Sequence, residues 1–305
     1  MNLKSIKTKL SSYQNILKIV ESQKNVTLIN ILKMSKKNIF YLSRCLETKS
    51  LIEAIVKQYD VSHYLLNSNK SLNLKSFFKS KQENNNKILW VYVTEDEKYA
   101  TNSYLKQEQN ILRLADKDRD TFVLIGKRAN NFGDKNGFSP VFSYHENDVP
   151  YLAQVLPSLI ENHILDNGYH DVRFVLNAAK IKSNHIDVLP IHKLNLRFDV
   201  ENRFTEKNFN LKKLRIYPDV NKFIDAEFNS YISYATLALL SESWIINEKY
   251  KLVAQNQTIN DLEEKIRRHR LMIIREKREL EVEETSILSK KKDLLHTRGL
   301  TKNGN

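Results

Sequence analysis

Between residues 224 and 294 every seventh residue is apolar: Ile224, Tyr231, Ala238, Ile245, Leu252, Ile259, Ile266, Ile273, Leu280, Ile287 and Leu294. A seven-residue repeat held without exception calls for a long helix that supercoils left-handed around a partner. At ~1.5 Å per residue the helix exceeds about 100 Å, more than a globular core can bury. A second stripe opens the chain at alternating spacings of three and four. It reads Leu3, Ile6, Leu10, Tyr13, Leu17, Val20, Lys24, Thr27, Ile31, Met34, Asn38, Tyr41, Cys45, Thr48, Ile52 and Ile55. Lys24, Asn38 and Thr48 interrupt it. A helix from residue 3 to about 58 is roughly 80 Å long and again favours a coiled coil.

Glycine and proline agree with this reading. Glycines stand at 126, 133, 137, 168, 299 and 304, prolines at 140, 150, 157, 190 and 218. Both ends of the chain therefore lack the residues that most often break helices. The expected order is an N-terminal coiled-coil helix (1–58), a linker (59–86), an α/β domain (87–192), a connecting segment (193–218), a C-terminal coiled-coil helix (219–298) and a flexible tail (299–305). The two helices flank one domain, so they are expected to pair antiparallel within the chain. Pairing with a second copy is the alternative.

The second seam position of the late heptads is polar at Gln255, His269, Glu276, Glu283 and Lys290, with Leu262 the exception. One apolar residue per heptad makes a narrow stripe on a densely charged helix, as in "EEKIRRHR" and "REKRELEVEE". The bland reading is a solvated helix laced with i,i+4 pairs. The sharper one is a thin, stiff shaft that touches its surroundings loosely.

The middle alternates. Strand-like "KILWVYVT" (87–94), helix-like "NSYLKQEQNILRLA" (102–115), "TFVLIG" (strand), "FSPVFSYH" (short strand), a helix opening near Asp148 and stopping near Gly168, and "DVRFVLNAA" (strand) follow one another. This predicts a Rossmann-like α/β domain with a mostly parallel sheet. Neither G-x-x-x-x-G-K-[ST] nor G-x-G-x-x-G occurs, so the two usual phosphate cradles are missing. His163, His170 and His185 lack metal-ligand spacing and read as satisfied or solvent-facing. Cys45 reads as core rather than nucleophile, and as the lone cysteine it forms no internal disulfide. The acidic run Glu95, Asp96, Glu97 reads as a solvated loop before it reads as an acid/base site. No catalytic residue, cofactor or metal is expected.

The 49 Lys and Arg against 36 Asp and Glu give a net charge of +13. That balance favours acidic partners: nucleic acid, a membrane surface or an acidic protein. No secretory leader and no membrane-spanning run is apparent in the sequence, so a cytoplasmic setting is expected.

The order of elements resembles the gamma subunit of F-type rotary ATPases. Gamma subunits open with a stretch like N-L-K-x-I-K-x-R-I; here Asn2, Leu3, Lys4, Ile6, Lys7 and Leu10 match it, followed by Asn15, Lys18, Ile19, Lys24 and Val26. The family's L-L-I-G-K-K-G-x-x-F resembles "VLIGKRANNF" (123–132). Its later strand and L-L-P resemble "VRFVLN" (172–177) and Leu189-Pro190. Its A-L-L-E-S and R-M-V-A-M resemble Leu240, Glu242, Ser243 and then Lys251, Leu252, Val253, Ala254.

The resemblance implies a non-catalytic shaft turned inside a ring of alpha-like and beta-like P-loop ATPase subunits, three of each. It implies ring contacts at Lys4, Lys7, Lys18, Ile19, Lys24, Lys251, Leu252, Val253, Ala254, Lys277, Arg278, Val282 and Glu284. Residues 1–58 carry eleven Lys or Arg against three Glu, a basic helix suited to acidic levers. Glu95, Asp96, Glu97 and Lys98 correspond to a glycine-rich loop at the rotor foot, where every glycine has gone. Epsilon-like, membrane-ring or motility-machinery proteins are the partners considered there. The Lys, Asn and Ile bias suggests an AT-rich genome, as in mycoplasmas, and hence a divergent, gliding-type motor that hydrolyses ATP. The alternatives are gamma of an ordinary proton-translocating synthase and, from another class, a basic coiled-coil protein binding nucleic acid. Against the last, the basic residues are interleaved with Glu and no aromatic platform is apparent.

Overall fold

A computed structural model describes residues 3–59, 87–95, 103–145, 148–168, 171–178, 184–194 and 215–300, the last nine of these as backbone only. The predicted linker lies outside the described residues except for Tyr59, which ends the first helix, and so does most of the connecting segment. The chain forms two compact units: Met1–Leu28 with Leu252–Asn305, and Ile29–Lys251.

The elements run α1 (Leu3–Tyr59), β1 (Ile88–Val93), α2 (Ser103–Leu114), β2 (Thr121–Ile125), α3 (Lys127–Asn136), β3 (Pro140–Tyr144), α4 (Val149–Asn167), β4 (Asp171–Val175), β5 (Ile186–Leu189) and α5 (Val220–Leu300). The sheet has the order β3-β2-β1-β4-β5. The β1–β2, β1–β4 and β2–β3 pairs are parallel, while the edge pair β4–β5 is antiparallel. The fold is therefore α/β with a mostly parallel sheet, carried by the long first and last helices.

Strand β1 explains the layering. All but Ile88 of its "ILWVYV" is buried. Leu89, Val91 and Val93 enter the core shared with α1, α4 and α5, while Trp90 and Tyr92 enter the core shared with α2 and α3. Alternation sends successive residues to opposite faces, so a continuous apolar run marks a strand covered on both sides. Strand β2 divides likewise, Val123 and Ile125 to one face, Phe122 and Leu124 to the other.

Helix α4 starts where Asp148 accepts a hydrogen bond from the Tyr151 N–H, with Pro150 in its first turn. It stops at Gly168, which has φ +83°. Helix α3 and strand β5 are not anticipated above. The α3 sequence, "KRANNFGDKN", is rich in poor helix formers. It folds because the Thr94 hydroxyl accepts from the Ala129 N–H and the Asn130 side chain donates to the Gly126 and Tyr144 carbonyls.

In the second unit, α1 and α5 pair antiparallel. Asn38 donates to the Ala238 carbonyl at 2.8 Å, and Ile55 packs with Ile224. Leu42, Cys45 and Ile52 join Phe228, Tyr231, Ile232, Ala235 and Leu239 in one core. In the first unit, the Tyr13 ring meets the His269 ring edge-on at 5.1 Å. Every residue of the opening stripe from Leu3 to Ile55 is buried or half-buried, its three polar interruptions included. The pairing is intramolecular.

Candidate functional site

The ring-contact residues expected on the first unit fall into two environments. Lys4, Lys7, Lys18 and Ile19 are exposed on α1, Ile19 at 57 %. Lys24 sits half-buried in the seam itself. On α5, Leu252 and Ala254 are half-buried and Val253 is exposed. Lys251, which belongs to the second unit, pairs with Glu248 at 3.2 Å. The seam holds through Ile259, Leu262 and Ile266, all buried.

The heptads then outlast their partner. Tyr13 lies beside His269, so antiparallel geometry brings the start of α1 opposite the residues just before Leu280. From Lys277 to Lys291 every side chain is exposed. Leu280 and Ile287 continue the seven-residue repeat, yet they are 45 % and 50 % exposed. Lys277, Arg278, Val282 and Glu284 all stand on this overhang. It carries Glu279, Glu281, Glu283 and Glu284 between basic ends at Lys277-Arg278 and Lys290-Lys291. The repeat predicts a partner along the whole stretch; within the first unit the overhang has none among the described residues. The sequence repeats every seven residues whether or not α1 is there to receive it.

In the second unit the expected foot loop is corrected in part. Glu95 is buried, not solvated, and its carboxylate accepts a hydrogen bond from the Ser243 hydroxyl of α5 at 3.1 Å. Its backbone N–H donates to the Tyr104 hydroxyl at 2.9 Å. The chain is buried from Leu89 through Thr94 at the end of β1, and Glu95 is drawn inside with it. Asp96, Glu97 and Lys98 lie outside the described residues.

Ligands of doubly wound sheets bind outside the carboxyl ends of the strands, where the strand order reverses. Here that position, past β1 and β4, is occupied by the protein. Gln107 of α2 donates to the Leu176 carbonyl, and Ser243 of α5 takes the Glu95 carboxylate. Beside it, "GKR" opens α3, where a phosphate would need free amides. The Ala129 N–H is bound to Thr94 Oγ1, and the Asn130 N–H to the Gly126 carbonyl. Gly126 has φ +95°, and a Cβ there would collide with the Thr94 carbonyl and hydroxyl. Its glycine serves close packing of β1 on the turn, not a pyrophosphate.

The remaining described candidates all have partners, and His170 lies outside the described residues. His163 is buried and bonded to Thr121 and Asn167. His185 contacts Asn110 and packs against Trp90. Burial pushes the Cys45 thiol up to about 12, which keeps it protonated and unreactive. Among the described residues no group of three or more His, Cys, Asp or Glu could hold a metal ion. No described helix is long and apolar enough to cross a membrane.

No family model matches the sequence. An uncharacterized protein of Ureaplasma parvum is 29 % identical over 291 residues, covering 95 % of this chain and 94 % of that protein. The ATP synthase gamma chain of Mycoplasma capricolum is 25 % identical over 272 residues, covering 85 % of this chain and 87 % of its own length. The ATP synthase gamma chain of Mycoplasma mycoides is 23 % identical with the same coverage. Among solved structures, a chain of the Tetrahymena thermophila mitochondrial ATP synthase central stalk and c-ring matches with a TM-score of 0.48 at 16 % identity, over 78 % of this chain and 98 % of its own. A chain of the Euglena gracilis mitochondrial ATP synthase matches with a TM-score of 0.45 at 12 % identity, over 99 % and 97 %. The sequence likeness to gamma chains is too long to leave out either helix, since the unaligned remainder is shorter than α1 or α5. The chain is a gamma-like protein.

Proposed function

We propose that this chain is the central rotor shaft of an F-type, ATP synthase-like rotary ATPase, and that the motor is a divergent one. The similarity to gamma chains across the sheet and both helices carries this reading. Catalysis resides on surrounding alpha-like and beta-like P-loop subunits, three of each, and this chain supplies no catalytic group. Sequential hydrolysis pushes acidic levers of the ring against a basic shaft on which Lys4, Lys7 and Lys18 are exposed. The overhang of α5, with Lys277, Arg278, Val282 and Glu284, lies deepest in the ring. The complex is cytoplasmic and peripheral to the membrane.

Divergence is supported by the lost glycine loop and by the higher identity to a Ureaplasma protein that does not bear the gamma name. A gliding-type ATPase of mycoplasmas is the version we favour. An ordinary proton-translocating synthase is the second reading, favoured by the names of the two Mycoplasma relatives. The test is to tag the chain in its own cell, weigh the intact complex by mass spectrometry and assay ATP hydrolysis. Three of each P-loop subunit per copy, with hydrolysis, supports the shaft. Accompanying epsilon and membrane-ring subunits indicate a synthase; surface-machinery proteins indicate the divergent motor. Recovery of the chain alone, or with nucleic acid, refutes the shaft.

A further inference from the structure

Helix α2 turns a polar row outward. Lys106, Gln109, Asn110 and Arg113 follow at i, i+3, i+4 and i+7, the spacing of a single helix face. Across from them stands Asn184, in the turn before β5, and together these five residues line a groove of about 320 Å³. Its floor is built. Asn110 is only 7 % exposed, its Nδ2 lies 3.3 Å from His185 Nδ1, and its Oδ1 accepts from the Arg113 guanidinium at 3.1 Å. The amide thus holds Arg113 in place at the rim.

The lining of the groove carries two cations, Lys106 and Arg113. None of the five lining residues is acidic. The acid on α2, Glu108, is gripped by Nε and Nη2 of Arg128 at 2.7 and 2.9 Å and accepts from the Tyr92 hydroxyl. Asp187, beyond His185, is bonded to Arg173. Burial holds the His185 imidazole below its ordinary pKa, with Asp187 opposing the shift and Arg173 adding to it.

A second row decides what kind of anion fits. Leu105 and Leu112 are 51 % and 47 % exposed, also seven residues apart, each beside one of the two cations. Gln109 belongs to both rows. A free phosphate gains nothing from two leucines. A helix with apolar and acidic residues side by side at a seven-residue spacing gains from both rows at once.

We infer that the outer face of α2, with the Asn184 turn, is a docking groove for an acidic amphipathic helix of a partner protein. Lys106 and Arg113 take its carboxylates, and Leu105 and Leu112 take its apolar stripe. The groove lies on the α/β domain and its existence does not depend on whether α1 and α5 turn in a ring.

The full chain is titrated with three probes: a synthetic helix of roughly 20 residues bearing adjacent Leu and Glu every seventh position, the same helix with Gln for Glu, and inorganic phosphate. The Glu helix is expected to bind, and the Gln helix about tenfold more weakly, because charge complementarity is lost. Lys106→Glu with Arg113→Glu, and separately Leu105→Asn with Leu112→Asn, each weaken the Glu helix about tenfold. All four positions are exposed, and unchanged circular dichroism confirms the fold. Equal binding of the Glu and Gln helices overturns the groove, as does no loss in either double variant. If phosphate displaces the Glu helix while the leucine variant binds it normally, the site takes a free anion and the docking surface is refuted.

Discussion

Ile266 and Leu280 occupy equivalent heptad positions on one helix, two heptads apart, and they should respond to truncation very differently. Ile266 is 6 % exposed and Leu280 is 45 % exposed. Ile266→Ala removes three buried carbons, worth about 2.4 kcal/mol at ~0.8 kcal/mol per buried methylene-sized group. An unrelaxed cavity brings the total into the range of about 2–4 kcal/mol. Leu280→Ala removes atoms that face solvent on the overhang, and alanine is at least as good a helix former, so its cost is under about 0.5 kcal/mol. Amide hydrogen exchange reads the two directly. In Ile266→Ala the amides of residues 259–273 and 3–13 should open roughly fiftyfold more often, the factor that about 2.4 kcal/mol represents. Those of residues 220–245 should not change. Leu280→Ala should leave both sets alone. Equal protection loss in the two variants would mean that the seam extends over Leu280, and the intramolecular register would be wrong.

Other consequences are as direct. Gly126→Ala meets both a positive φ and the Thr94 backbone, so it should cost more than about 2 kcal/mol, while Gly137→Ala, with φ +69° and open space, should cost about 1 kcal/mol in urea unfolding. Asn38→Ala removes a buried hydrogen bond to the Ala238 carbonyl and should cost about 1–2 kcal/mol by the same assay. Cys45 has its thiol raised to about 12 in the folded chain, so stability is complete below its ordinary value near 9 and falls as pH rises from there towards 12. Cys45→Val should flatten that alkaline limb of a pH-dependent melt; an unchanged limb would show that the thiol is not its cause. Under native conditions at pH 8 the same thiol should resist alkylation and react only once the chain is unfolded.

What the sequence revealed and what it hid follow from how local each signal is. Both long helices announce themselves because their periodicity repeats many times and no glycine or proline interrupts it. Strands β1 and β2 are plain because they are short, almost wholly apolar runs between turns. Helix α3 is invisible to propensity because its caps come from Thr94 and from its own Asn130, and neither bond is encoded in "KRANNFGDKN". Strand β5 is four residues long, too short for alternation to register. Glu95 misleads for another reason: in an acidic run it looks solvated, and its partner Ser243 is 148 residues away. The docking groove on α2 could have been found from Lys106, Gln109, Asn110 and Arg113, whose spacing is helical. Its opposite wall, Asn184, could not.

The Glu95–Ser243 bond has a mechanical side. Within the second unit, α5 is tied to the sheet by a buried carboxylate at the end of β1 and by the Tyr231 hydroxyl on the Val188 carbonyl of the edge strand. These two anchors lie about three helical turns apart, at different heights on one rod. A rod held at a single height can swivel in its socket; one held at two heights cannot roll without breaking at least one of the bonds and stripping a buried polar group of its partner. Twist applied to this part of α5 is therefore handed on to the sheet as a whole, and the crevice that other doubly wound domains keep open for a ligand is here the keyway that stops the rod from slipping.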